Sequence, residues 1–552
     1  MGLHSWRLAG VAALLGWFAG LAPIGAAVLP DNGALTASPT DAKQMRTSRS
    51  GTGHQLIVPY YTVQNGNATL LNVVNSDSRN GKAVKVRFRS ADNADSVLDF
   101  QVFLSPGDVW TANISRGADG RALLTTTDKS CTLPAGVGAA GGSAFLTGRL
   151  PATLSAAEQA TQTREGYVEI ITMADISASA RGADGNNLGS NPLFSAILQT
   201  DGIAPCTAAT MARLAIDPAS TAGTNGAYDL GFTAPSDGLY ANWIIINVPK
   251  SGAASGRATA LVAADASGQP ARGNIVFSPQ TAAAATAPNL ATADPALRTI
   301  AGTGIGDVQN GGGGAYSAGT TPIIVAQQLD LPDLSTPYTR LGVYPPAYSD
   351  PVTHSNTVSA VLSAYEVVNE FLTDYTITAY TDWILTQPMR RYHVAIDMRQ
   401  GAAAAPTRAF VTSAFYGLNT RMVNGRLCVN HNDIVFFDRE RTESPDPVRI
   451  ASGGIATPPP YVTSWPLCGA ASVLVFNATN DPAALGAEVA RIDFNTGAVS
   501  DGWAVLRSPG LSLLGLPLIG HSILRVTNPA VGPGIAANFG GALEHRYRTL
   551  LH

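Results

Sequence analysis

Two neighbouring stretches with a period of two residues constrain the fold most. In Lys82–Ser90, Val84, Val86 and Phe88 fall on one side and Lys85, Arg87 and Arg89 on the other. In Val97–Leu104, Leu98, Phe100, Val102 and Leu104 share a side, with Asp99 and Gln101 opposite. Successive side chains of a strand point to opposite faces, so both stretches read as half-buried strands. The apolar rows face a core. The basic row faces out, where Asp99 and Gln101 can pair with it across the strands. Leu56–Thr62 is another β-prone run, and Ala68–Asn75 is apolar enough for a strand buried on both faces. Asn80-Gly81 signals a hairpin, and Pro106-Gly107 a turn before the strand Asp108–Ile114, which carries Trp110. Strands and turns in this order predict an Ig-like antiparallel sandwich.

The rest of the chain extends that frame. Residues 116–240 read as a helix-containing insertion, with helices at Ser155–Arg164, Asn191–Leu198 and Cys206–Leu214 and a strand at Tyr167–Ala174. Strands at Ala241–Val248 and Arg257–Ala264 return to the first sandwich and close a domain spanning 54–278. Residues 279–321, rich in Ala, Thr and Gly, read as a linker. The remainder, 322–552, is expected to be a second β-rich, sandwich-like domain. Val358, Val361, Leu362, Tyr365 and Val368 predict one amphipathic helix over Thr357–Leu372. Strands are expected at Tyr375–Thr381, Tyr392–Asp397, Asp433–Phe437, Ala471–Phe476, Val489–Phe494, Trp503–Leu506 and Ile519–Thr527. The expected fold class is therefore mainly β, with two sandwich-like domains.

The first 27 residues place this fold outside the cytoplasm. A charged start (Arg7), an apolar stretch Leu8–Gly25 and the small residues Gly25-Ala26-Ala27 form a secretory signal peptide. Residues 28–53, polar and without periodicity, read as a flexible leader. The later apolar stretch Leu511–Val526 is broken by Pro517 and His521, so no membrane span is expected after cleavage. Charged residues make up 13% of the chain, about half the usual share, and only five are Lys. Such a surface argues against nucleic acid as a partner. In an exported chain, Cys131, Cys206, Cys428 and Cys468 suggest disulfides. Proximity favours Cys131–Cys206 and Cys428–Cys468; a four-cysteine zinc site is the alternative, without any CxxC pair to support it.

Motifs with chemical meaning are sparse. Gly136-Val-Gly138-Ala-Ala-Gly141 matches a dinucleotide fingerprint by letters, but no βαβ pattern surrounds it, so no cofactor is expected. Neither a GxSxG nor an HExxH motif occurs. His521 and Ser522 are strand neighbours and point apart. His431 with Asp433 reads first as a polar turn, and His545 as a solvated residue near the terminus. Asp92, Asn93, Asp95 and Asp99 offer oxygen ligands for calcium, without the loop pattern, and read first as a solvated turn. The charge cluster Asp438, Arg439, Glu440, Arg441, Glu443, Asp446 and Arg449 stands out in a chain so poor in charge. Asp438, Glu440 and Glu443 are thus the candidate acid–base carboxylates for polysaccharide cleavage, against an ion-paired loop. Tyr344, Tyr348, Tyr461 and Trp465 lie in proline-containing segments and are the candidate aromatic contacts for a glycan or a protein partner.

Several segments together, "LIVPYYTVQNGNATLLNVVN", "KAVKVRFRS", "FQVFLSPGDVW", "NEFLTDYTITAYTDWILTQPMRRYHV" and "FFDRER", resemble an uncharacterised family of exported proteobacterial proteins. The resemblance spans most of the chain beyond the signal. It implies export from a Gram-negative cell and assigns no activity. The expected function is a non-enzymatic surface, envelope or extracellular binding or structural protein. A secreted polysaccharide hydrolase and a subunit of a cell-surface assembly are the alternatives.

Overall fold

The structure, a computed structural model, describes residues 44–277 and 358–549 with breaks, the longest at 215–228, 397–419, 441–448 and 451–464, together with the strands Ala27–Leu29, Arg298–Ile300 and Ile323–Val325. The fold is mainly β and sandwich-like. Most of the signal segment and of the linker 279–321 lies outside the described residues.

Thirteen strands of the first half form two sheets. They are β1 (Gln44–Thr47), β2 (Gln55–Thr62), β3 (Asn67–Asn75), β4 (Gly81–Ser90), β5 (Ser96–Leu104), β6 (Val109–Arg116), β7 (Ala122–Thr125), β8 (Cys131–Leu133), β9 (Ser143–Ala144), β10 (Glu165–Ile176), β11 (Leu239–Asn247), β12 (Gly252–Arg257) and β13 (Thr259–Ala264). One sheet has the order β9-β7-β6-β3-β11-β12 and the other β1-β13-β2-β10-β4-β5-β8. Between them Phe88, Phe100, Trp110 and Trp243 pack in one core. Helix α1 (Ala156–Gln162) starts at a capping box of Ser155 and Glu158, α2 (Pro192–Ile197) is capped by Asn191, and α3 (Ala208–Arg213) follows.

Several expectations are corrected here. The leader is partly ordered: β1 lies within it, pairs with β13, and buries Met45. Asn80-Gly81 makes no hairpin, because β3 and β4 belong to different sheets. Asp77 instead accepts the amides of Arg79 and Asn80 at 2.8 and 3.0 Å, which turns the chain from one layer to the other. β3 is not buried on both faces; its residues alternate between buried and half-buried. Glu165–Ile176, inside the expected insertion, is a central strand paired to both β2 and β4.

The largest correction concerns the basic row. Asp99 does face Arg87 across the strands, at 3.3 Å, and also pairs with Lys85. But Lys82, Lys85, Arg87 and Arg89 are all at most 1% exposed. Lys82 Nζ pairs with Asp175 at 2.6 Å, and Arg89 Nε with Glu169 at 3.2 Å. Alternation separates an apolar face from a polar one; it does not say whether a further layer covers the polar face.

The second half contributes β14 (Glu366–Leu372), β15 (Ala379–Thr386), β16 (Asp433–Phe437), β17 (Ala471–Phe476), β18 (Arg491–Asn495), β19 (Asp501–Arg507), β20 (His521–Gly532), β21 (Gly541–Glu544) and β22 (Arg546–Arg548). A four-stranded sheet has the order β16-β19-β14-β22. A larger sheet runs β18-β17-β15-β20, with β21 also on β20, and its β17–β18 pair is parallel. The expected helix 357–372 is helical only at 358–362. Beyond it, Val367, Asn369 and Phe371 are buried with period two, and the β-branched Val367 and Val368 and the aromatic Phe371 favour the strand β14. Tyr375–Ile377 is a 3-10 turn rather than a strand.

The two halves share their core. Val473, Leu485, Val489 and Ile523 belong to the same buried cluster as Leu56 and Trp243. Ala91 O accepts the amides of Ala470 and Ala471 at 2.7 and 3.1 Å, and Tyr167 donates to Pro388 O at 3.2 Å. The segment 485–490 is held from both sides. Asn65 and Asn67 donate to the carbonyls of Gly486 and Leu485, and Asp382 accepts the Leu485 amide at 2.7 Å. Glu165 accepts the amides of Glu488, Val489 and Ala490 at 2.7, 3.0 and 2.9 Å and the Tyr60 hydroxyl at 3.0 Å. Burial raises the pKa of Glu165, and these four donors work against that rise.

Candidate functional site

The site grows out of the outward face of the four-stranded sheet. Period two puts Val435 and Phe437 of β16 on the same face as Asp501, Trp503 and Val505 of β19 and Val368, Glu370 and Leu372 of β14. The register aligns Phe437, Trp503 and Glu370 in one row across three strands. The rings of Phe437 and Trp503 stack with centroids 4.2 Å apart and 13° between planes. In the next row Asp501 lies opposite Leu372, and Arg439 Nε donates to Asp501 Oδ1 at 3.0 Å. Gly502, at φ +145°, lets the two strands meet this closely, since a Cβ there would collide with the Phe437 carbonyl oxygen.

Beside this row is a pocket of about 480 Å³. It opens where β22 stops, because β22 pairs only with Glu366–Val368 and, among the described residues, leaves the β14 edge from Asn369 to Leu372 without a strand neighbour on that side. Side chains satisfy that edge instead. Thr381 Oγ1 donates to Leu372 O at 2.8 Å and accepts its N–H at 2.9 Å. Ser522 Oγ and Trp383 Nε1 donate to Glu370 O at 2.9 and 3.2 Å. Leu524 and Leu543 line the pocket together with Trp503, Arg439 and Asp501. At the far end of the sheet, Glu366 is clamped by Arg507 at 3.3 Å and Arg548 at 3.0 Å.

The site joins an indole, two carboxylates, a guanidinium and three leucines around a volume typical of small-ligand pockets. Such a set stacks on the CH face of a ring and hydrogen-bonds hydroxyls at its rim. Among the described residues no group of three His, Cys, Asp or Glu side chains is placed to hold a metal ion.

The residues singled out by sequence are scattered. Asp438 is half-buried and Glu440 exposed just after β16, while Glu443 lies outside the described residues. Arg439 of the same cluster turns to Asp501, on another strand. Tyr344, Tyr348 and Tyr461 lie outside the described residues; Trp465 opens the strand Trp465–Cys468. Both proposed bridges are present: Cys131–Cys206 with Cα atoms 5.3 Å apart, and Cys428–Cys468 with 4.0 Å, directly opposite on paired strands.

Two expected solvated sites are buried. Asp92 pairs with Arg426 at 2.6 Å, and Asp99 with the basic row. His545 is 3% exposed, with Nδ1 2.9 Å from the Asn369 amide nitrogen and Nε2 2.9 Å from Ile384 O. His521 and Ser522 do point apart: His521 packs edge-on against Trp243 at 5.2 Å, and Ser522 turns to Glu370 O. The 136–141 glycines form turns, with Gly136, Gly138 and Gly141 at positive φ, and α1 begins only at Ala156. Sequence reasoning passed over Trp503, Phe437, Glu370 and Asp501. The strands Asp433–Phe437 and Trp503–Leu506 were readable, but their register with β14, which assembles the row, is a tertiary fact.

Among the described residues no helix is long and apolar enough to cross a membrane. No protein-family model, no curated protein and no solved structure matches this chain.

Proposed function

We propose that this chain is an exported binding protein of the cell surface or extracellular space that takes a saccharide in the Trp503 pocket without cleaving it. The observation that carries the reading is the Phe437–Trp503 stack set beside Arg439, Asp501 and Glu370 at the pocket mouth. Sugar rings present an apolar CH face to an indole and equatorial hydroxyls to charged rims, so this combination suits them better than it suits a wholly apolar ligand. Export is supported by the signal-like N-terminus, by two disulfides in a chain without a free cysteine, and by the resemblance to exported proteobacterial proteins.

A saccharide array probed with the full chain tests this. The expected result is selective binding to one sugar class, lost in Trp503→Ala. Absence of binding to any saccharide defeats the reading. Release of new reducing ends from a bound polysaccharide would favour the hydrolase alternative over it.

A further inference from the structure

The six-stranded sheet has a second face, turned away from the shared core. Its apolar side chains are Leu70 and Val74 of β3, Tyr240, Ile244 and Ile246 of β11, and Val109 of β6, the last 41% exposed. The register brings them together: Val109, Val74 and Tyr240 form one row, and Leu70 and Ile244 lie opposite each other. Between these rows Thr111, Asn72 and Asn242 form a line of neutral hydrogen-bonding groups. Among the described residues Arg257, at the edge, is the one charged side chain on this face, and its guanidinium is 3.6 Å from Glu544.

We infer that this face docks a second copy of the same chain, sheet against sheet. Two arguments select that occupant. A two-fold contact lays a patch on itself, so a patch bearing net charge repels its own image; this one is neutral and carries both donors and acceptors at Thr111, Asn72 and Asn242. The area also suffices. Five strands at a spacing of about 4.8 Å and eight residues at about 3.3 Å give a plan of about 600 Å², close to the ~800 Å² per partner of a standard interface once side-chain relief is added. Aligned sheets pack face to face with interdigitating aliphatic side chains, as these rows allow.

The test is the solution mass of the full chain by sedimentation and light scattering at tens of micromolar. The expected result is twice the chain mass, falling to one chain in Val109→Lys and in Thr111→Arg. Both positions are exposed, so the variants keep the fold, which circular dichroism checks. Ile203→Lys, exposed elsewhere at 60%, stays dimeric. A single-chain mass for the wild type overturns the inference, including the case where some other partner covers this face. A dimer that survives both face variants overturns it equally, by placing the contact elsewhere.

Discussion

Glu165 and Ala490 are 325 residues apart in sequence, yet the carboxylate of one accepts the backbone N–H of the other at 2.9 Å in a fully buried setting. The bond ties a central strand of the first half to a segment that the second half inserts into the shared core. With Glu488, Val489 and Tyr60 also donating, this one carboxylate satisfies four donors.

Removing it leaves those donors buried without their acceptor. Glu165→Ala is expected to cost about 4 kcal/mol, since each stranded buried group costs about 1–3 kcal/mol and some regain partners. The two halves of the wild type should unfold in one transition, because the core does not divide between them. Urea unfolding followed by both tryptophan fluorescence and far-UV dichroism checks both points. Two separated transitions in the wild type would contradict the shared core.

The disulfides close loops of 75 and 40 residues. In the chain-entropy account each contributes about 4 kcal/mol by restricting the unfolded chain. Cys428→Ser with Cys468→Ser, and separately Cys131→Ser with Cys206→Ser, should lower stability by that order. Thiol counting in denaturant should find no free thiol before reduction and four after it.

Stability should fall on acidification. Burial pushes His545 down to about 3, and His54 and His521 to about 4, whereas unfolded histidine titrates near 6.5. Between these values the unfolded chain binds more protons, so stability is complete above about pH 6.5 and is lost as pH falls toward 4 and 3. Asp382 acts oppositely. Burial raises it to about 6, so its contribution is present below about pH 4 and lost as pH rises through 6. Glu165 and Asp92, which burial also raises, act in the same direction as Asp382, but the three histidines span the whole interval, and the net slope between pH 6.5 and 4.5 should be a loss on acidification. Denaturation midpoints across that range measure it, and His545→Gln should flatten the slope. A rise in stability over the same range would contradict this.

Much of this fold was legible along the chain. The period-two runs placed β4 and β5 and anticipated that Asp99 would face the basic row, and cysteine spacing paired both bridges. What was not legible depends on a third layer or on register. The buried state of Arg87 and Arg89 follows from covering elements remote in sequence. The spacing of Val358, Leu362 and Tyr365 fits a helix, but the alternation of Val367, Asn369 and Phe371 wins because strand β19 is there to pair with it. His545 looked solvated because the exposed Glu544 and Arg546 flank it, yet it joins β21 to β22 with its ring turned inward to Asn369 and Ile384. The pocket follows the same logic. Trp503 and Phe437 were each placed on strands, but only pairing makes them a stack, and only the early end of β22 opens the space beside it.

The saccharide-binding reading is tested most directly by isothermal titration of the full chain with the sugar its array selects. One binding site per chain is expected, abolished by Trp503→Ala and retained by Tyr375→Ala, a 49% exposed aromatic outside the pocket. Equal affinity in the wild type and in a folded Trp503→Ala variant would contradict it.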